Sequence, residues 1–291
     1  MKKLAALFII LALLLTQTSA FAEDEASPAL PSSLKVLAIG NSFSVDAMQW
    51  LYNVLTDMGV EEVVLGNLYV SGCSLGTHAS NAKNNSEAYT YYKCSKDTNG
   101  EWQKAKTTML YGIEDEDWDY ITMQQASGQS GLPSSYEPSL SYLIDYVKAK
   151  RPNAKLLWHM TWAYQGDSTH ASFINYGKSQ NVMYRSILNA VNQNIVNNSS
   201  FDGIIPCGTA VQNMRTSSIG DNMTRDGYHM NVVYGRYLLS VMWAKMLTGS
   251  SDFASLTGIP ARIGTVDKDT LEIIIESVEN AYKKPFEVTP S

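Results

Sequence analysis

The chain of 291 residues is short of positive charge, with 22 Lys and Arg against 28 Asp and Glu and a net charge of −6. No cluster of Lys or Arg occurs along it. A nucleic-acid-binding surface needs a concentrated basic patch that neutralises phosphates. The composition therefore argues against nucleic acid as a partner.

Cysteine and histidine are also scarce. The three cysteines allow at most one disulfide: a Cys73–Cys94 bond and no bond at all fit equally well, and Cys207 lies in an apolar segment typical of a buried thiol. No zinc-ligand spacing is found among the four histidines, which are His78, His159, His170 and His229. We therefore predict no metal and no cofactor.

The apolar run Leu4–Leu15 is too short to span a membrane. It follows Met1-Lys2-Lys3 and precedes Ala20-Phe21-Ala22, a small-x-small cleavage pattern. These features predict a signal peptide over 1–22, cleaved near Ala22, and a proline-containing linker over 23–34. We expect a secreted or periplasmic protein without a stable membrane anchor.

Residues 35–285 suffice for one large α/β domain. Apolar strand patterns alternate with helical ones, as in a doubly wound fold. The predicted strands are Lys35–Ile39, Val63–Val70, Tyr120–Gln125, Leu156–Trp162 and Gly203–Cys207. The predicted helices are Ala47–Met58, Lys104–Ile113, Tyr136–Lys150, Phe173–Ile195 and Lys268–Tyr282.

Ser42 follows the first of these strands, directly after Gly40 and Asn41. Ligands of open α/β sheets bind outside the carboxyl ends of the strands, so a serine there is well placed as a nucleophile. Ser and Asn are also favoured helix N-caps, so a purely structural role is the alternative.

Asp226 and His229 stand in a loop that precedes another helical pattern. Three residues apart at a helix entrance, they can lie on one side of the first turn. A serine nucleophile needs a base and a group that orients this base, and the pair offers both. Alternatively, Asp226 or Asn231 caps the helix and His229 is a surface residue.

Gly40-Asn41-Ser42 and Asp226-Gly227-Tyr228-His229 resemble the first and last blocks of the SGNH (GDSL-like) hydrolase superfamily, with Asn where Asp is commoner. More narrowly, Leu37–Ser44 looks like an SGNH-like domain of unknown function from secreted bacterial proteins. The resemblance spans Lys35 to Leu247. It implies a three-layer α/β/α sandwich with a flavodoxin-like parallel sheet of about five strands, and a catalytic triad of Ser42, Asp226 and His229.

The same resemblance implies an oxyanion hole formed by the N–H groups of Ser42 and Gly72, although Gly72 could equally be a turn glycine. The superfamily's third block supplies an Asn amide, which this chain lacks. A glutamine amide is also a suitable donor. We expect Gln125 as the third donor, with Gln124 and Gln129 as alternatives.

Alternating tyrosines and the polar turn Lys96–Gly100 predict a hairpin insert at about 84–102. It could overhang the site, or its tyrosines could cover the core. Trp162, Tyr164 and Tyr228 are expected near the catalytic edge, where they line a substrate pocket or fill it.

Together these patterns predict an exported serine esterase that removes ester groups, acetyl foremost, from a small-molecule or glycan substrate. The preference for carbohydrate follows from export and a polar surface rich in Asn, Ser and Tyr. A lipase or thioesterase on the same fold is the alternative within the enzyme class, and would need an extended apolar cleft. A non-catalytic glycan-binding protein is the alternative from another class; it would not need all three triad residues.

Overall fold

The computed structural model of the chain describes residues 28–256 and 265–291. The predicted signal peptide and the first part of the predicted linker lie outside these residues. Within the described part, no helix is both long enough and apolar enough to cross a membrane.

The described residues form one mixed sheet of seven strands in the order β4-β3-β2-β1-β5-β6-β7. The strands are β1 (Ser33–Gly40), β2 (Glu62–Tyr69), β3 (Tyr89–Ser95), β4 (Gln103–Thr107), β5 (Tyr120–Met123), β6 (Lys155–His159) and β7 (Gly203–Ile205). Five neighbouring strands of the sheet are mutually parallel, in the spatial order β2-β1-β5-β6-β7 of the flavodoxin-like arrangement. The strand order reverses beside β1, so the carboxyl ends of β1 and β5 flank the crevice where such sheets bind ligands.

Helices cover both faces of the sheet. They are α1 (Ser42–Met48), α2 (Leu51–Met58), α3 (Leu75–Lys83), α4 (Met109–Glu114), α5 (Ser139–Lys150), α6 (Gln180–Val191), α7 (Cys207–Arg215), α8 (Tyr234–Thr248) and α9 (Lys268–Lys283). One layer joins α1, α2, α7, α8 and α9, and the other contains α3, α4 and α5. The predicted three-layer α/β/α sandwich is thus confirmed.

The first strand and helix follow from a short stretch of sequence. Residues 36–39 of β1 are buried, as expected for a central parallel strand covered on both faces. Asn41 then caps α1, because its Oδ1 accepts a hydrogen bond of 3.0 Å from the Phe43 N–H. The helix predicted over Ala47–Met58 is instead two helices. The break lies at Trp50, whose N–H donates to Ser240 Oγ at 3.2 Å.

The region of the predicted hairpin insert forms β3 and β4. Because β3 pairs antiparallel with β2, the hairpin extends the sheet in its own plane. Tyr89 and Tyr91 are buried in the core, whereas Tyr92 is half-buried on the opposite face. The helix predicted from Lys104 begins only at Met109, since backbone pairing with β3 holds Gln103–Thr107 extended.

All three cysteines are free and buried. Burial raises the pKa of the Cys73 and Cys94 thiols to about 12. Cys207 begins α7 rather than ending a strand, because β7 stops before Pro206.

Candidate active site

Ser42 is the first residue of α1, immediately beyond the carboxyl end of β1. Because Asn41 is the helix cap, the Ser42 hydroxyl is not used for capping. The N–H group of the first helical residue has no partner inside a helix. Ser42 lines a cavity of about 490 Å³ at this edge of the sheet, so its hydroxyl and N–H are both available to a ligand there.

The Asp226–His229 segment is a tight loop rather than the first turn of a helix. A β-bridge between Thr224 and Met230 closes it, and Gly227 has a φ of +90° that favours glycine. Asp226 Oδ1 accepts hydrogen bonds from the backbone N–H of His229 at 2.8 Å and of Tyr228 at 3.2 Å. The loop backbone thus fixes the orientation of the carboxylate.

Ser42, His229 and Asp226 form one hydrogen-bonded chain. His229 Nε2 lies 2.8 Å from Ser42 Oγ, and Nδ1 lies 2.7 Å from Asp226 Oδ2. Burial alone would raise the pKa of the Asp226 carboxyl, but hydrogen bonds from the His229 side chain and backbone and from Tyr228 hold it below its ordinary value of 3.8. The ionised carboxylate can only accept, so neutral His229 carries its proton on Nδ1 and offers Nε2 to the serine hydroxyl.

A buried carboxylate ties this loop to the helix that carries the serine. Asp46 is 0% exposed. Its Oδ1 accepts from Arg236 Nε at 2.8 Å and from Arg225 Nη1 at 3.2 Å, and its Oδ2 accepts from the Met230 N–H at 2.8 Å. Arg225 and Met230 flank the Asp–His pair on either side. Asp46 therefore sets the position of the loop relative to α1; the sequence signal for this was its place one turn after Ser42.

Gly72 lines the same cavity. Its φ of +59° favours glycine, and its N–H has no hydrogen-bond partner among the described residues. Asn41 holds this loop in place, because its Nδ2 donates to the Cys73 carbonyl at 3.0 Å. Ser42 and Gly72, whose backbone N–H groups both lack a hydrogen-bond partner among the described residues, thus line one cavity.

The structure corrects the assignment of Gln125 as an oxyanion donor. Its Nε2 donates to the carbonyl and hydroxyl oxygens of Ser135, and its Oε1 accepts from the N–H groups of Leu75 and Ala126. The side chain is buried and joins the loop after β5 to the start of α3. The amide that would meet an oxyanion is therefore already occupied.

The two alternative oxyanion donors, Gln124 and Gln129, differ in burial and in hydrogen bonding. Gln124 is also buried and engaged, since its Nε2 donates to Asn41 Oδ1 at 2.9 Å and its Oε1 lies 3.0 Å from His159 Nδ1. Gln129 is exposed, lines the cavity with Ser42, and makes no hydrogen bond through its side chain to the described residues. Of the three glutamines, only Gln129 lines the cavity, and its amide has no hydrogen-bond partner in the part of the chain that the structure describes.

The aromatic predictions are also corrected in part. Trp162 and Tyr164 are 0% exposed and do not line the cavity. Trp162 stacks on Phe43 with ring centroids 4.0 Å apart and donates from Nε1 to the Tyr228 carbonyl at 2.8 Å, so it supports the loop from below. Tyr228 does line the cavity, and its ring packs against His229 at 4.1 Å.

A second histidine in the cavity was missed by the sequence reasoning. His170 packs against Tyr228 at 4.6 Å between ring centroids. Its Nδ1 accepts from the Ser172 N–H at 3.2 Å, so the neutral ring carries its proton on Nε2. Burial, and then the nearby His229, lower the pKa of His170 below 6.5. The sequence signal that could have identified His170 is its position in the loop that follows β6, at the carboxyl edge of the sheet.

The remaining cavity lining is mostly small and hydroxyl-bearing: Ser71, Ser74, Thr77, Ser127 and Ser172. Among the described residues, no group of three or more His, Cys, Asp or Glu side chains is arranged to hold a metal ion.

Five parallel strands lie between two helical layers in a three-layer α/β/α fold, with Ser42 after the first strand and an Asp-x-x-His loop facing it. The chain belongs to the family described as "Domain of unknown function (DUF4886)", whose model matches residues 35–257.

A DUF4886 family protein from Bacteroides uniformis is similar in structure, with 40% identity, a TM-score of 0.82, and coverage of 88% of this chain and 97% of its own. A carbohydrate esterase family 3 protein from Talaromyces cellulolyticus matches at 14% identity and a TM-score of 0.46, over 74% of this chain and 96% of its own. A catalytic mutant of an acetylxylan esterase from Geobacillus stearothermophilus matches at 10% identity and a TM-score of 0.45, over 74% of this chain and 94% of its own. The last two are too distant to carry an argument about activity. A search of curated proteins finds no match.

Proposed function

We propose that this chain is a serine esterase that removes small acyl groups, acetyl foremost, from a carbohydrate. The observation that carries the proposal is the hydrogen-bonded chain from Ser42 Oγ through His229 to Asp226, beside a cavity that Ser42 and Gly72 line. The backbone N–H groups of these two residues have no hydrogen-bond partner among the described residues. A nucleophile, a base, an orienting carboxylate and oxyanion donors are the parts that acyl transfer requires.

In the first step Ser42 Oγ attacks the ester carbonyl while His229 Nε2 takes the serine proton. The N–H groups of Ser42 and Gly72 stabilise the negative oxygen of the tetrahedral intermediate, together with the Gln129 amide. The intermediate collapses when the C–O bond to the alcohol breaks, and His229 gives its proton to the departing oxygen. A water molecule then repeats the sequence on the acyl-serine, which releases the acid and restores Ser42.

The cavity favours a short acyl group over a long one. Its lining is dominated by Ser, Thr, Gly and Gln residues, and the rings of Tyr228 and His170 lie beside His229. A long alkyl chain would gain little from burial against hydroxyl groups. This supports an acetyl-type esterase over a lipase or thioesterase.

The proposal includes export, because residues 1–22 have the pattern of a signal peptide. Expression in a bacterial host, fractionation, and N-terminal sequencing of the exported protein test this part. We expect the mature chain to begin near Glu23; a full-length chain retained in the cytoplasm would contradict it.

The activity is tested with p-nitrophenyl acetate, butyrate and octanoate, using Ser42→Ala as the matched control. We expect kcat/KM to fall with acyl length and Ser42→Ala to lose on the order of 10³-fold or more in kcat. Equal rates for the two proteins on acetate would refute the serine mechanism. Faster hydrolysis of octanoate than of acetate would favour the lipase alternative.

A further inference from the structure

A second cavity, of about 330 Å³, lies between α1 and the edge hairpin. Its polar lining comes from Gln49, Asn67 and Arg236, and its aromatic lining from Tyr92 and Trp102. None of these residues lines the cavity that contains Ser42. Its volume is within the range of small-ligand sites.

The side-chain amide of Asn67 indicates that this cavity binds a ligand. The residue is only 2% exposed, and its Oδ1 lies 2.9 Å from Ser44 Oγ. Its Nδ2 has no hydrogen-bond partner among the described residues, although Asn67 borders the cavity. A hydroxyl or carbonyl oxygen of a bound molecule would satisfy this donor.

Gln49 and Arg236 add further donors. Arg236 directs Nε and Nη2 to Asp46 Oδ1, at 2.8 Å and 2.7 Å, and Nη1 to Gln49 Oε1 at 3.2 Å. The guanidinium is therefore already paired with a carboxylate, and Gln49 Nε2 is left without a partner in the described part of the chain. The cavity offers oriented N–H groups rather than a free cation, which suits a neutral ligand with acceptor oxygens.

The aromatic rings stand where they can contact such a ligand. Tyr92 is paired with Asn67 across β2 and β3, so both side chains lie on the same face of the sheet. Trp102 stands just before β4 and is only partly exposed. The C–H face of a sugar ring packs on an aromatic plane while its hydroxyls accept hydrogen bonds from amides. Two aromatic rings beside unpaired amide donors match this chemistry.

The second cavity lies further along α1 from Ser42. Val45 and Gln49, which line it, follow Ser42 by three and seven residues and so lie on the same side of the helix. At 1.5 Å per residue they are about 4.5 Å and about 10 Å further along the axis. One extended ligand could therefore place one unit in this cavity and another in the cavity that contains Ser42.

We propose that this cavity is a sugar-binding subsite, which holds a neutral pyranose ring of a glycan next to the ring that carries the ester. Only the assignment of that glycan as the hydrolysed substrate rests on the proposed function. Binding of the sugar itself follows from Asn67, Gln49, Tyr92 and Trp102 and requires no turnover.

The test is isothermal titration of the exported chain carrying Ser42→Ala with unsubstituted hexasaccharides of β-1,4-linked xylose, glucose and N-acetylglucosamine. We expect at least one of them to bind. Adding Trp102→Ala should weaken that binding about tenfold or more, and Gln49→Ala several-fold. Tyr111→Ala is the matched control, since this tyrosine is 56% exposed on α4, which packs on the opposite face of the sheet. It should bind as the parent does.

Failure of all three hexasaccharides to bind would overturn the proposal, as would unchanged affinity in a folded Trp102→Ala variant. Circular dichroism and thermal melting show whether each variant is folded. If Trp102→Ala is unfolded, the affinity of Gln49→Ala tests the proposal in its place. The wild-type chain is assayed separately on p-nitrophenyl acetate. Binding without esterase activity would refute the proposed function alone, and activity without sugar binding would refute the subsite alone.

Discussion

Asp46→Asn tests whether one buried carboxylate holds the two halves of the site together. The substitution keeps an oxygen for the Met230 N–H but removes the charge that faces Arg225 and Arg236. Breaking a buried ion pair by removing one partner costs about 3–5 kcal/mol. The Arg236 side chain is 15% exposed and carries most of this cost, whereas Arg225 is 36% exposed and adds little.

We therefore expect Asp46→Asn to lower the free energy of unfolding by about 3 kcal/mol. For a domain of this size the loss corresponds to a fall in Tm of about 6–12 °C. Urea and thermal unfolding followed by circular dichroism measure it. Glu62→Gln is the control, because the side chains of Glu62 and Lys96 are 57% and 65% exposed and an ion pair in solvent contributes little to stability.

Asp46→Asn should also have a lower kcat than the wild type under conditions in which it is fully folded. A displacement of the His229 loop by about 1 Å would cost on the order of 10²-fold in kcat. The assay is p-nitrophenyl acetate hydrolysis well below the variant's Tm. A free energy of unfolding within 1 kcal/mol of the wild type would refute the ion-pair reasoning, and an unchanged kcat would refute the positioning role.

Three further predictions follow from the site. Gln125→Ala should destabilise the fold by on the order of 3 kcal/mol, since it leaves several buried partners unpaired, and unfolding by urea checks this. Gln129→Ala should leave Tm unchanged and lower kcat on p-nitrophenyl acetate by about 10²-fold; a change in KM alone would exclude it as an oxyanion donor. Because the folded-state pKa of Asp226 lies below its ordinary value of 3.8, its stabilising contribution is present above that value and is lost as the pH falls through the folded pKa. The difference in Tm between wild type and Asp226→Asn should accordingly shrink on acidification below about pH 4, and a constant difference would contradict the sign of the shift.

The α/β architecture and the two ends of the site could be predicted because their signals are local. An apolar strand that stops before Gly40-Asn41-Ser42 and a loop containing Asp226 and His229 can each be recognised in a few residues. The order of parallel strands then brings their carboxyl ends to one edge. The hydrogen-bonded chain between Ser42 and His229 spans 187 positions and could be expected only from that topology.

The errors arose where function depends on the direction of a side chain. Gln124 and Gln125 are adjacent on one strand end, and nothing in the sequence indicates that the first meets Asn41 and the second meets Ser135. Trp162 and Tyr164 are amphipathic and could lie at a surface or beneath it. Asp46 was overlooked because its partners are 179 to 190 positions away.

The added hairpin also changes how the sheet meets other molecules of the same chain. Without it β2 would be an exposed, apolar edge, open to pairing with another strand. With it the outer strand is β4, where Lys104 and Lys106 are exposed and project to the same side. A second copy that paired there would have to desolvate both ammonium groups. The opposite edge, β7, is only three residues long. Short, lysine-bearing edge strands are the means by which native sheets resist aggregation, so a concentrated solution of the folded chain gains protection at both ends of its sheet.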